Sequence, residues 1–137
     1  MSDLKAPTWD ANLYLKFVDA RLRPALDLMG RLDPANINNV WKALARHPAV
    51  MESFAAEMKA AFAPGKLDPL TKELVYLAIS IANQCDYCIA SHGTMARNKG
   101  MTEEMHAEFM AVVLAAQKGN KIAVAYRVPV DAAFEEK

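Results

Sequence analysis

Two cysteines and a histidine lie close together in the stretch NQCDYCIASHG, at Cys85, Cys88 and His92. The cysteines are the only two of the chain, and His92 is one of three histidines. If a helix begins just after Cys85, then Cys88 and His92 are i and i+4 and share one helix face. Both sulfurs lie near the positive end of the helix dipole, which favours a thiolate, and an imidazole stands beside Cys88. The spacing is therefore typical of an activated dithiol, in which the thiolate is the attacking species.

Two other interpretations of these residues stay open. Cys85, Cys88 and His92 could be three ligands of a zinc ion, but a structural site takes four, and His106 in the following helix is the nearest candidate for the fourth. The three residues could also be ordinary core residues, two buried thiols beside a hydrogen-bonded histidine. The clustering of both cysteines next to an imidazole favours redox thiol chemistry over both alternatives.

The composition predicts one folded domain that associates with copies of itself. The chain has 137 residues, of which 53% are hydrophobic and 23% charged, and its formal net charge is zero. This length is enough to bury a core, and so high an apolar share predicts apolar surface covered by another copy. The absence of a basic run argues against nucleic-acid binding.

The apolar runs predict no membrane segment. The longest one, LVYLAISIA at residues 74–82, is far short of the ~20 residues that span a bilayer, and the N-terminus has no apolar signal core. We therefore expect a cytoplasmic protein in a reducing compartment. There a Cys-x-x-Cys is more often catalytic or metal-binding than a structural disulfide.

The elements that must position these residues are helices, because good helix formers dominate and only YRVPVDA near the end looks extended. Helices are predicted over about 10–31 with a break at Pro24, over about 36–46, from Pro48 to the APGK stretch at 63–66, and from Pro69 to about 83. Further helices are predicted over about 86–99, from Thr102 to Gly119, and over about 120–127. Asp68 and Thr102 are the expected N-caps, and Gly100 the expected left-handed C-cap.

Three of these helices have a predicted buried face. Apolar residues at helical spacing predict one in the helix after Pro48, formed by Val50, Phe54, Met58 and Ala61. The helix from Pro69 is apolar almost all round over residues 74–82, which predicts burial at the centre of the fold. In the helix after Thr102 the predicted stripe is Met105, Phe109 and Val112.

The segment ELVYLAISIANQCDYCIASH resembles the active-site segment of the carboxymuconolactone decarboxylase-like superfamily, and within it the alkylhydroperoxidase D-like branch. The family pattern is a glutamate, eleven residues, and then Cys-x-x-Cys-x-x-x-His, which Glu73, Cys85, Cys88 and His92 match. The resemblance covers about residues 43–118. It implies an all-α, single compact multi-helix domain that is oligomeric. We assign this domain to residues 1–137, with a core over about 24–127 between an N-terminal extension and a C-terminal tail.

The resemblance implies a thiol-dependent peroxidase, because the lactone decarboxylases of the superfamily lack the cysteine pair. Cys88 would be the thiolate that a hydroperoxide oxidises to a sulfenic acid, and Cys85 would protonate the leaving alcohol and then form the disulfide. His92 and Glu73 would form a proton relay. No haem, flavin or metal is required. The implied partners are a hydroperoxide, a dithiol or protein reductant, and further copies of the chain in a trimer or hexamer. The alternative is a zinc-stabilised or redox-sensing oligomeric binding protein without turnover.

Two positions limit these expectations. If the helices on either side of Cys85 fold back on each other about that residue, the residue opposite His92 is near Ala78. Glu73 then lies about 7–8 Å further along the helix, and the sequence leaves open whether its side chain reaches His92. Tyr87 stands where the mycobacterial-type enzymes carry an additional histidine, and we expect it mainly to pack.

Overall fold

A computed structural model describes residues 37–135, and this part of the chain is helical and contains no strand. Its α-helices are α1 (Asn39–Leu44), α2 (Pro48–Phe62), α3 (Pro69–Ala82), α4 (Asp86–Asn98) and α5 (Glu103–Ala125), and a 3-10 turn follows at Ala132–Phe134. The all-α prediction is confirmed. The helix predicted over about 10–31, with its break at Pro24, lies outside the described residues. None of the described helices is long and apolar enough to cross a membrane.

The chain divides into two units, Met1–Ala63 and Pro64–Lys137. In the first unit, α1 and α2 pack through an apolar cluster of buried residues, which are Ile37, Trp41, Ala45, Met51 and Ala55. The rings of Trp41 and Phe54 are 5.7 Å apart at an interplanar angle of 39°. This cluster, which we call the α1–α2 core, takes its cohesion from apolar area and aromatic contact.

The predicted buried face of α2 is wrong by one position. Met51 and Ala55 are buried, whereas Val50 is 56% exposed and Phe54 and Met58 are half-buried. Because successive residues are 100° apart on a helix, a shift of one position keeps the i, i+4 rhythm but turns the buried stripe. The spacing of apolar residues therefore predicts the helix correctly, while the contacts between α1 and α2 determine which residues of α2 are buried.

The second unit begins with the capped helix α3. The Asp68 carboxylate accepts a hydrogen bond from the Thr71 backbone N–H at 3.0 Å, and Pro69 occupies the first turn, as predicted. The hydrogen bond from the Thr71 hydroxyl, followed by that from the Thr71 backbone, holds the pKa of Asp68 below its ordinary value. The cap fixes the start of α3, one turn before Glu73.

A three-residue connection reverses the chain between α3 and α4. Gln84 has a left-handed backbone, with φ of 56°, and donates its N–H to the carbonyl of Ile81. The N–H of Cys85 bonds to the carbonyl of Ser80 at 3.0 Å. These two bonds form a Schellman motif, which satisfies the last carbonyls of α3 and directs the chain into α4.

The same motif ends the next two helices. Gly100 has φ of 98° and donates to Arg97 at the end of α4, so the predicted left-handed cap is confirmed. Arg127 has φ of 48° and donates to Val124 at the end of α5. Thr102 begins α5, since its hydroxyl accepts from the Met105 N–H, which confirms the second predicted N-cap.

Predictions for α5 beyond its start are wrong in two respects. The helix does not stop at Gly119 but continues to Ala125 as one element, so the separate short helix at 120–127 does not exist. A Cβ at Gly119 would meet nothing within 4 Å, so no packing reason for a break exists there. Gly119 costs α5 about 1 kcal/mol relative to alanine, which the remaining residues outweigh.

The predicted buried stripe of α5 is also wrong. Met105 is 39% and Val112 68% exposed, Phe109 is half-buried, and the buried residue is Val113. Likewise α3 is not buried on all sides, because Val75 and Ile79 are more than half exposed in the single chain. What α3 does bury is the face that carries Glu73, Leu77 and Ser80.

Candidate functional site

The two cysteines stand at the start of α4 and their sulfur atoms are joined in a disulfide. The Cα atoms are 5.3 Å apart. Cys85 is the N-cap residue, and its Sγ accepts a hydrogen bond from the Cys88 N–H at 3.4 Å. Both residues are half-buried. The sulfurs therefore lie within bonding reach of each other at the positive end of a helix, as the spacing predicts.

One turn further along α4, His92 is bound to a carboxylate of α3. Its Nδ1 lies 2.6 Å from Oε2 of Glu73. Glu73 is 1% and His92 6% exposed. A short contact to a buried carboxylate fixes the orientation of the imidazole and identifies Nδ1 as the nitrogen that faces Glu73. The reach that the sequence left open is thus closed, within one chain.

The geometry of the turn explains why Glu73 reaches His92. The centre of the connection is Gln84, whereas the reversal expected from the sequence has its pivot at Cys85. Tyr76 and His92 are each eight residues from Gln84, so they lie opposite each other. The rings of Tyr76 and His92 are indeed stacked, with centroids 3.6 Å apart and planes 22° apart. Glu73 is one helical turn from Tyr76 on the same face of α3, and the length of its side chain covers that turn.

Lys99 provides a second contact to Glu73. Its Nζ donates a hydrogen bond to Oε1 of Glu73, while Nδ1 of His92 contacts Oε2. The Lys99 side chain is 34% exposed, so it leads from the surface to a carboxylate that is almost fully buried. Each oxygen of Glu73 thereby has its own partner, and the described residues contain no buried side-chain N or O atom without a hydrogen bond.

Sequence reasoning named Glu73, Cys85, Cys88 and His92, and the structure brings Glu73 to His92 and Cys85 to Cys88. It missed Tyr76 and Lys99. A signal existed for both: Tyr76 is three residues from Glu73 on α3, and Lys99 is seven residues, or two turns, after His92 on α4.

The remaining candidates from the sequence are His106 and Tyr87. Within residues 37–135, no group of three or more His, Cys, Asp or Glu side chains is arranged to hold a metal ion, so His106 does not complete a zinc site there. The ring of His106 instead lies 6.5 Å from that of Phe109. Tyr87 is 42% exposed in the single chain, and the expectation that it mainly packs stays a prediction.

Comparisons with known proteins identify the family of this chain. Residues 48–131 match the model of the carboxymuconolactone decarboxylase family. An uncharacterized protein of Cupriavidus necator is 37% identical over 87 residues, which cover 63% of this chain and 75% of that protein. An uncharacterized protein encoded in the cox locus of Paracoccus denitrificans is 35% identical over 71 residues, 52% of this chain and 64% of that one.

A solved structure is similar over the whole chain. The crystal structure of the alkylhydroperoxidase AhpD core from Rhodospirillum rubrum matches with a TM-score of 0.75 and 35% sequence identity, covering 100% of this chain and 99% of that one. The matched family region contains α3, the cysteine pair and α4. The chain belongs to the carboxymuconolactone decarboxylase family, in its alkylhydroperoxidase D-like branch.

Proposed function

We propose that the protein is a thiol-dependent peroxidase that reduces hydroperoxides through Cys85 and Cys88. The observation that carries the proposal is the placement of a bondable sulfur pair on the same helix as a carboxylate-bound imidazole, with Cys88 and His92 four residues apart. The similarity to an alkylhydroperoxidase core supports the same reaction.

In the first step, the thiolate of Cys88 attacks the terminal oxygen of a hydroperoxide. An S–O bond forms, the O–O bond breaks, and the peroxide gains two electrons from sulfur, leaving Cys88 as a sulfenic acid. The departing alkoxide takes a proton from the Cys85 thiol and leaves as an alcohol. Cys85 then becomes the thiolate, and at the N-cap of α4 the Cys88 N–H and the helix dipole stabilise its charge.

In the second step, the Cys85 thiolate attacks the sulfur of the sulfenic acid. The disulfide forms, and hydroxide leaves and is protonated to water. An external dithiol or a protein reductant must then return two electrons and two protons to the disulfide. The disulfide form of this structure corresponds to the end of this second step.

His92 and Glu73 supply the proton transfer that the first step requires. Because Nδ1 of His92 is hydrogen-bonded to Glu73, proton exchange with the Cys88 thiol has to use Nε2. Glu73 orients the ring and balances the positive charge that arises when the imidazole accepts the proton, a role familiar from other carboxylate–histidine pairs.

Assembly into a homo-oligomer, a trimer or hexamer, is part of the proposal. Its support is the apolar surface that the single chain leaves uncovered, including Val75 and Ile79 on α3 and Val112 and Leu114 on α5. Light scattering of the purified protein after size exclusion tests it, and a monomer of 15.1 kDa would remove this part of the proposal without affecting the chemistry.

Turnover separates a peroxidase from a sensor that is oxidised once. With tert-butyl hydroperoxide and an excess of a dithiol such as dihydrolipoamide, we expect many moles of peroxide to be consumed per mole of protein. Consumption that stops at one mole per dithiol would assign the protein to redox sensing instead.

The two cysteine variants test the division of labour. Cys88→Ser is expected to give no sulfenic acid, detected as a dimedone adduct by mass spectrometry of the peptide that contains residues 85 and 88. Cys85→Ser is expected to accumulate that adduct, because the resolving thiol is missing. Equal trapping in the wild type and in Cys88→Ser would refute the assignment of the attacking sulfur.

A further inference from the structure

The side chain of Lys99 is connected to the site although it stands at the far end of α4. It shares Glu73 with His92, one partner on each carboxylate oxygen. We propose that Lys99 is a positioning residue of the relay, whose positive charge offsets part of the Glu73 charge that faces His92 and so weakens the hold of His92 on a proton. In this role Lys99 acts on His92 through its charge beside Glu73.

The location of Lys99 suits a fixed contact. It is the C-cap residue of α4, and its backbone N–H bonds to the carbonyls of Met95 and Ala96 at 3.1 and 3.0 Å. The Schellman motif at Gly100 holds the chain directly after it. A residue seven positions after His92 lies on the same helix face, and its side chain leans back toward the N-terminus of the helix. The ammonium group is therefore directed along α4 toward His92 and meets the carboxylate on the way.

The charges of the cluster give Lys99 its effect. An ionised Glu73 with Lys99 and a neutral imidazole has no net charge, and protonation of His92 makes the cluster positive. Without the lysine charge, the same carboxylate attracts the imidazolium undiminished, so His92 holds its proton to higher pH. A base that is to take a proton from a thiol near neutral pH must release it again, and Lys99 favours that release.

Within residues 37–135, the ion pairs of Glu73 are those with His92 and Lys99. On α3 itself, Tyr76 contributes its ring against His92. The other described ion pair of α4 joins Arg97 to Glu103 at 3.7 Å, and both side chains are more than half exposed. Within the described residues, α5 contributes no ion pair to Glu73. Among the described residues, Lys99 is thus the lysine or arginine whose substitution removes a positive charge from the Glu73 carboxylate.

The test is the titration of His92 in the disulfide form, followed by NMR of the imidazole carbons. The rings of His47 and His106 are assigned by His→Gln variants. In Lys99→Met we expect the His92 midpoint to rise by at least about 0.5 pH unit, roughly threefold in the ionisation constant, the size of one nearby charge partly screened by water. Lys99→Arg should restore the wild-type midpoint, and Lys118→Met, on the exposed surface of α5, is the matched control and should not move it.

A double variant separates the charge effect from general disturbance. In a Glu73→Gln background, Lys99→Met is expected to raise the His92 midpoint by less than it does in the wild-type background, because without the carboxylate the ammonium group is no longer held beside the imidazole and water screens its charge. Lys99→Gln keeps a hydrogen-bond donor for Glu73 but removes the charge, so we expect it to raise the His92 midpoint as Lys99→Met does. It replaces Lys99→Met in the test if the methionine variant does not fold. An unchanged or lowered midpoint in the folded charge-removing variant overturns the proposal.

The meaning of Lys99 for catalysis rests on the proposed function, but the titration does not. In the peroxidase assay, Lys99→Met should shift the acid limb of kcat/KM to higher pH by the same amount as the NMR midpoint. If the midpoint moves while neither protein turns over peroxide, the peroxidase proposal fails and the link between Lys99 and His92 stands.

Discussion

The α1–α2 core and the α3–α4 pair bury different kinds of side chain. The residues buried in the first are apolar throughout, from Ile37 to Ala55. The second buries the charged or polar side chains of Glu73, Ser80 and His92. Burying such groups costs free energy unless each finds a partner, and here each does. Even when they are paired, buried charged groups add little net stability, so we attribute the buried polar groups of the α3–α4 pair to the proposed chemistry and expect the α1–α2 core to serve stability.

This contrast predicts that substitutions in the two regions separate activity from stability. The largest expected effect on activity is that of Glu73→Gln. The amide has nearly the shape of the carboxylate but carries no charge for His92 or Lys99, so kcat/KM for a hydroperoxide should fall about 10²- to 10⁴-fold, as for loss of acid–base catalysis. A stopped-flow peroxide assay at neutral pH measures it.

The stability of Glu73→Gln is the control for that experiment. The substitution leaves Lys99 without its partner charge, but the Lys99 side chain is 34% exposed and can turn to water, so the free energy of unfolding should fall less than it does when a fully buried pair is broken. Circular dichroism in urea measures this change. Full activity of a folded Glu73→Gln protein would break the contrast, since the buried charge would then serve no chemistry.

Met51→Ala makes the opposite change in the α1–α2 core. Met51 is fully buried, so its truncation should cost about 2–5 kcal/mol in the free energy of unfolding through lost contacts and a cavity. Met105→Ala, at a position that is 39% exposed, is the matched control and should cost less than about 0.5 kcal/mol. Both proteins should keep wild-type kcat per folded molecule, and a large loss of kcat in Met51→Ala would show that the two regions are not separate in function.

Tyr76→Leu tests the packing that holds the imidazole. Ring stacking contributes about 0.5–1.5 kcal/mol beyond area burial. If the stack on His92 acts in the transition state, its loss should lower kcat about two- to tenfold. Tyr76→Phe keeps the aromatic face and should retain most of the activity. Equal losses in the two variants would assign the effect to the hydroxyl rather than to the stack.

The smallest expected effect concerns the N-cap of α3, where the pKa of Asp68 is lowered by the hydrogen bonds from Thr71. A group with a lowered pKa in the native state stabilises it fully above the unfolded value, and this stabilisation is lost as pH falls through the native value. Asp68→Ala should therefore lower Tm slightly at pH 7 and by less at pH 3. Thermal unfolding at the two pH values measures this difference.

Asp68→Asn is the matched variant for that experiment. Asparagine caps a helix about as well as aspartate but does not titrate. Its difference from Asp68→Ala should accordingly be the same at pH 7 and pH 3. If the Tm advantage over Asp68→Ala shrinks from pH 7 to pH 3 by the same amount for the wild type and for Asp68→Asn, then other carboxyl groups cause the pH effect.

The sequence predicted those parts of the fold that depend on local interactions. The N-caps Asp68 and Thr102 and the left-handed cap at Gly100 each act within four residues, and all three are where the sequence places them. The end of α5 was missed, because Gly119 is a weak helix former that a long helix tolerates. The buried faces of α2 and α5 were missed as well, since periodicity defines a stripe only to within about one residue.

The site divides in the same way. The spacing of Cys85, Cys88 and His92 is local, and it predicted the sulfur pair and the shared helix face correctly. The contacts of Glu73 depend on how α3 and α4 lie against each other, which the left-handed residue Gln84 determines. A non-glycine residue with positive φ is uncommon and has no sequence signal as strong as glycine, so the pivot was placed one residue too late.

Cys85 belongs to two helices at once. Its backbone N–H closes the last turn of α3 on Ser80, and its sulfur caps the first turn of α4. Because these two bonds meet at one residue, inserting or deleting even one residue between Ala82 and Asp86 would break at least one of them. For the proposed chemistry, the length of this connection is therefore as much a requirement as the cysteine itself.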